Sequence, residues 1–196
     1  SSGPTSAATA RAVVAARVCF ESDGWRKLAA RDRGARLARA AAVLARRADE
    51  FARLETLQNG KPLFESKIDV AMTVETLRYY AGWADKITGD TLPVSGEFFA
   101  YTLKEPVGVV GAIVPWNFPL NLASWKLAPA LAAGCTVVLK PAEETPLTAL
   151  LFAEVLEAAG FPAGAVNVVA GDGPTAGAAL VRHPGVDKIA FTGSTE

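Results

Sequence analysis

Cysteine and histidine are almost absent from these 196 residues: Cys19 and Cys135 are the only thiols and His183 the only imidazole. Two distant cysteines give neither a disulfide framework nor a zinc cluster, and the composition points to a reducing, cytoplasmic setting with no metal. Net charge is missing too. Twenty basic residues balance twenty acidic ones, so no global field draws the chain to nucleic acid or anionic lipid. Nor does any apolar run approach the roughly 18–20 residues of a membrane span, and the opening SSGPTS has neither a charged nor an apolar signal region. An initiator methionine is lacking, and FTGSTE stops where a turn has just begun, so both ends read as cuts in a longer protein.

What is present is an ordinary globular composition, 51% hydrophobic and 20% charged, enough for one core or slightly more. Helical spacing is visible over 7–20. It is firmer over 31–57, where Leu37, Ala41, Leu44, Ala48, Phe51 and Leu54 recur at three and four, predicting one amphipathic helix with its arginines on a solvated face. Asn59-Gly60-Lys61-Pro62 is a helix stop. A further helix is expected over 64–86 and an extended strand over 97–104.

From Val107 the period changes. Short, apolar, unalternating strands at 107–114, 136–140, 166–170 and 188–191 alternate with helices at 120–133, 146–159 and 175–182. Strands of that kind are buried on both faces, which predicts an α/β fold with a doubly wound parallel, Rossmann-like sheet preceded by a helical segment. In such sheets, ligands bind beyond the carboxyl ends of the strands.

The loops at those ends carry the polar content. The run VGVVGAIV leads into PWNFPL, where Asn117 stands between two aromatics; a buried amide there would need hydrogen-bond partners. Lys140 and Glu143 follow the second strand and suit a ribose diol or, equally, a surface ion pair before Pro146. Gly171 to Gly177 reads G-x-G-x-x-x-G, one residue longer than the usual dinucleotide fingerprint, and a tight turn with Pro174 at the first helical position explains most of it. Thr192-Gly193-Ser194-Thr195-Glu196 suits a phosphate at a helix start and also ordinary capping. Cys19, Cys135 and His183 read as packing and helix-end residues.

Taken in order, PWNFPL, LKPAEETPLTAL, GFPAGAVNVVAGDGPTAGAAL and VDKIAFTGSTE, with LETLQNGKP and LRYYAGWADKITGDTLP upstream, the chain resembles the NAD(P)-dependent aldehyde dehydrogenase superfamily, near its retinal, mitochondrial and betaine-aldehyde members. The resemblance implies a truncated, amino-terminal piece. It makes Asn117 the donor to the aldehyde oxygen as that oxygen gains charge. Ile113, Val114, Pro115 and Trp116 would line the nicotinamide, Lys140 and Glu143 hold the adenosine ribose, and Gly173 and Gly177 border the adenine. Phe191 would complete the set, with Ser194, on Gly193, taking the pyrophosphate. A carboxylate at Glu143 favours NAD over NADP.

The family's cysteine nucleophile and general-base glutamate follow the TGSTE turn, so neither is expected in this chain, and the isolated piece is expected to be inactive. The implied division is 1–90, helices packing on the cofactor-binding domain; 91–105, an extended segment like a subunit-joining strand; and 106–196, an incomplete NAD-binding domain, with the catalytic domain absent. Expected partners are an aldehyde and further copies, as a homodimer or homotetramer when complete, but no nucleic acid or membrane. The alternative is a non-catalytic dinucleotide-binding or subunit-interaction module.

Overall fold

The computed structural model describes residues 4–194. Five helices come first: α1 (Pro4–Glu21), α2 (Asp23–Arg26), α3 (Ala30–Arg46), α4 (Ala48–Asn59) and α5 (Leu63–Trp83). A small antiparallel pair follows, β1 (Thr91–Leu92) with β2 (Ala100–Tyr101). The remainder is β3 (Val109–Ile113), α6 (Pro119–Ala133), β4 (Thr136–Lys140), α7 (Leu147–Ala158), β5 (Val166–Val168), a π-type turn (Gly173–Gly177), α8 (Ala178–Arg182) and β6 (Lys188–Phe191).

The sheet is parallel throughout, in the order β5-β4-β3-β6. The chain therefore steps outward from β3 to β4 to β5, then crosses back to place β6 on the free side of β3. That reversal makes the sheet doubly wound, as the sequence predicts. It also opens a crevice between the carboxyl ends of β3 and β6, where such sheets bind ligands.

Alternating side chains of the strands feed two cores. Val110, Ala112, Val137 and Leu139 point to one face and join the large core under α3 to α7. Val109 and Val138 point to the other and meet Val13 and Ala16 of α1, Ala176, and Leu180 of α8. Gly111 in β3 is what lets α8 sit so close: a Cβ there would stand 2.7 Å from Ile189 and 3.1 Å from Leu180.

The single helix expected over 31–57 is two. At Arg47 the backbone leaves helical geometry (φ −101°, ψ 14°), and Asp49 and Glu50 begin a new first turn, where acidic residues suit the positive end of the helix dipole. The inward face keeps step across the break, with Phe51, Ala52 and Glu55 buried, while Leu57 on the opposite side of α4 is 81% exposed. Nor are the arginines of α3 a purely solvated face. Arg33 Nε donates to the Ala132 carbonyl at 3.0 Å and Arg39 Nε to the Ala159 carbonyl at 2.9 Å, so they satisfy carbonyls at the ends of α6 and α7 that have no partner within the helix.

The strand expected over 97–104 shrinks to the two residues of β2, registered Thr91 with Tyr101 and Leu92 with Ala100. Around it Phe98, Phe99 and Leu103 are largely exposed. Among the described residues no helix is long and apolar enough to cross a membrane.

Candidate functional site

The crevice over β3 and β6 is an open cleft of about 570 Å³. Its floor comes from β3, which ends at Ile113 and leads into buried Val114, half-buried Pro115, and exposed Trp116 and Asn117. Two backbone bonds join the neighbouring strands to this end: Val114 N–H donates to the Lys140 carbonyl at 3.2 Å, and Thr192 N–H to the Ile113 carbonyl at 3.1 Å.

On the β4 side, Lys140 is 4% exposed, and its Nζ donates to Glu143 Oε2 at 2.8 Å. That hydrogen bond holds the Glu143 carboxyl below its ordinary value, opposed by burial and by the charge of Asp172. Asp172 accepts from Thr175 N–H at 2.7 Å and from the Thr175 hydroxyl, which lowers its own carboxyl first, with Lys140 helping. One rim of the cleft thus pairs a buried ammonium with the Glu143 carboxylate, with the charge of Asp172 acting on both, a set able to orient a vicinal diol.

On the β6 side, Phe191 and the turn through Thr192, Gly193 and Ser194 form the opposite wall. Gly193 lies so close to the Phe191 ring that a Cβ would come within 2.7 Å of it, so a larger residue there would have to push the Phe191 ring aside. The helix start expected at Thr195 and Glu196 lies outside the described residues.

Ten of the eleven cofactor candidates, Ile113, Val114, Pro115, Trp116, Lys140, Glu143, Gly173, Phe191, Gly193 and Ser194, line this one cleft together with Asn117. Gly177 does not: it is buried at the end of the π-type turn, where its N–H donates to the Asp172 carbonyl at 3.2 Å. Asn117 differs from the expectation of a buried amide. It is exposed, and its side-chain amide makes no hydrogen bond to a described residue, while its backbone carbonyl accepts from Lys61 Nζ at 2.7 Å.

Three polar groups near the cleft escape a reading by loops. Lys126 is the lone charge in the helix PLNLASWKLAPALAA, which is itself a signal; its Nζ donates to Thr192 Oγ1 at 2.6 Å, and burial lowers its pKa. Asn59 and Lys61 hold the carbonyls of Trp116 and Asn117. No local pattern announces contacts to residues so far along the chain. Cys19 and Cys135 are buried, outside the cleft, and burial raises the Cys19 thiol. Among the described residues no group of three or more His, Cys, Asp or Glu is placed to hold a metal.

Comparison with known proteins gives one answer. The model of the aldehyde dehydrogenase family matches residues 2–196. Human mitochondrial aldehyde dehydrogenase is 56% identical over 188 residues, which is 95% of this chain and 36% of the human one. Mouse retinal dehydrogenase 2 is 53% identical, with the same coverage of each chain. The NAD+ complex of an aldehyde dehydrogenase from Bacillus cereus superposes with a TM-score of 0.94 at 52% identity, covering 95% of this chain and 38% of that one. The chain thus spans little more than a third of the length of these relatives.

Proposed function

The chain belongs to the aldehyde dehydrogenase family, and we propose that its cleft binds NAD and presents Asn117 to an aldehyde in an NAD-dependent oxidation to the carboxylic acid. The residues present fit the cofactor. Lys140 and Glu143 are already paired at the cleft's edge, and Gly193 clears space that any Cβ would fill. Bound NAD supplies the hydride acceptor.

The chain's own residues do the rest of the binding. Lys140 donates to, and Glu143 accepts from, the ribose hydroxyls, and the backbone of Gly193 and Ser194 meets the pyrophosphate. Gly173 and Gly177 shape the turn beside the adenine. Ile113, Val114, Pro115, Trp116 and Phe191 exclude water from the nicotinamide side. The Asn117 amide, exposed and without a hydrogen-bond partner among the described residues, is free to donate to the aldehyde oxygen as charge collects there. An oriented donor of this kind contributes about 10²–10³ in kcat in acyl-transfer enzymes.

The nucleophile is assigned to a cysteine outside this chain, because Cys19 and Cys135 are buried among apolar side chains. In the whole protein, 1–90 and 106–196 form the support and body of the cofactor domain. The exposed aromatics around β2 are the surface of 91–105 that meets a second copy.

The observation that carries this reading is the Lys140–Glu143 pair on the rim of the cleft that Asn117 also lines. Its test is NAD affinity and aldehyde oxidation by the full-length protein. Lys140→Ala with Glu143→Ala should weaken NAD binding tenfold or more, and Asn117→Ala should lower kcat while sparing NAD affinity. Unchanged NAD binding in the double variant would remove the site assignment, and a full-length protein that binds NAD but oxidises no aldehyde would leave a binding module.

A further inference from the structure

Asn117 must be aimed, yet no described residue hydrogen-bonds its amide, so its direction rests on the backbone of the Val114–Phe118 loop. That backbone has few anchors of its own: Pro115 contributes no N–H, and among the described residues only the Val114 N–H of this loop is bonded, to the Lys140 carbonyl. The loop is held instead by its carbonyls, from the turn between α4 and α5. Asn59 Nδ2 donates to the Trp116 carbonyl, and Lys61 Nζ donates to the Asn117 carbonyl at 2.7 Å.

Lys61 is an expensive way to make such a contact. Its side chain is 8% exposed and that of Asp69 5%, with Nζ to Oδ2 at 2.6 Å, and its ammonium also lies 4.4 Å from the centre of the Phe118 ring. A buried ion pair rarely adds net stability over apolar packing. What it does provide is a charge-assisted bond of fixed direction, aimed at the peptide that carries the side chain of interest. Gly60, in left-handed geometry (φ +83°), ends α4 so that Asn59 and Lys61 flank the turn.

We infer that Asn59, Lys61 and Asp69 are positioning residues: they clamp the carbonyls of residues 116 and 117 and thereby fix the aim of the Asn117 amide. The inference rests on the reading of Asn117 given above. Displacement of a reacting group by about 1 Å can cost on the order of a hundredfold in rate, so the clamp acts on kcat rather than on cofactor binding.

The test is a double-mutant cycle in the full-length protein with NAD and a short aldehyde. Lys61→Met is made together with Asp69→Asn, so that no buried charge is orphaned, and Asn59→Ala serves as a milder second variant. Each is compared in the wild-type and Asn117→Ala backgrounds, with kcat, aldehyde KM, NAD affinity and thermal midpoint measured. The clamp predicts a kcat at least tenfold lower for Lys61→Met/Asp69→Asn, a smaller fall for Asn59→Ala, and NAD affinity within twofold. In the Asn117→Ala background neither change should lower kcat further. An equal fall in both backgrounds would overturn the inference, as would folded clamp variants with kcat within twofold of wild type. If Asn117→Ala alone left kcat unchanged, the reading of Asn117 would fail and the inference with it.

Discussion

Replacing Glu143 by glutamine should shift the proposed cofactor preference toward NADP. The Glu143 side chain is 47% exposed and bonded to Lys140 at 2.8 Å. A 2′-phosphate on the ribose held by this pair would stand within roughly 4–5 Å of the carboxylate. Two unit charges 4 Å apart interact by about 4 kcal/mol at an effective dielectric near 20. Half-exposure, the adjacent ammonium and physiological salt cut this to about 1–2 kcal/mol. Glutamine keeps the shape and removes the charge, so the ratio of NADP to NAD affinity should rise by about 5–30-fold. Asp172 retains part of the repulsion, and adding Asp172→Asn, which preserves an acceptor for Thr175, should raise the ratio again. Trp116 on the cleft wall provides a fluorescence signal for both titrations. A ratio within twofold of wild type in the double variant would refute the electrostatic account.

Other consequences can be measured as stability. Glu55 is fully buried, and its carboxyl is raised chiefly by burial, against hydrogen bonds from Thr148, Gln58 and the Leu120 N–H and the charge of Lys61. As pH rises above its ordinary value of 4.5, the unfolded chain releases this proton first, so stability falls with pH until the folded carboxyl also ionises. Glu55→Gln should flatten that slope in thermal melts between pH 4.5 and 8, and an unchanged slope would refute the assignment. Trp25 Nε1 donates to the Gly134 carbonyl at 2.8 Å, so Trp25→Phe should cost about 1–3 kcal/mol, read as a lower urea midpoint at constant slope. Gly111→Ala should cost a similar amount by forcing α8 off β3, and a wild-type midpoint would show that α8 yields more easily than its packing implies.

The order of strands and helices after Val107 was legible because buried parallel strands leave apolar runs that end in polar loops. The cleft was legible for the same reason: Lys140, Glu143, Phe191 and Gly193 stand at strand ends, and strand ends of one sheet share an edge. What escaped depends on contacts distant in sequence. Apolar spacing runs unbroken through Arg47, and Phe51 and Glu55 stay in step with Leu37, Ala41 and Leu44, so the period carries no sign of a break that only the Arg47 backbone shows. The aromatics flanking Asn117 suggested burial, yet Trp116 is 57% and Phe118 43% exposed, because aromatic neighbours do not imply a dry site. Asn59 and Lys61 read as a turn because their partners lie 57 and 56 residues away.

The floor and one wall of the cleft belong to β3 and β6, which are 78 residues apart at the Val109–Asp187 contact, so their alignment has to be set by something other than chain connectivity. At the amino end of these strands, Val109 N–H donates to Asp187 Oδ2 at 2.7 Å and Asp187 N–H returns a bond to the Val109 carbonyl at 2.9 Å. Gly108 leaves the room, since a Cβ there would overlap the Asp187 carboxylate. Arg17 of α1 closes the node, donating to Asp187 and, at 3.0 Å, to the Gly185 carbonyl. At the carboxyl end, the Thr192–Ile113 bond and the Lys126–Thr192 contact fix the turn that leads to Gly193. β6 is thus pinned at both ends of its short ladder, and a slip of one residue would have to break a bond at each. The first helix of the chain, far from the cleft in sequence, therefore helps to hold the register on which the width of the cleft depends.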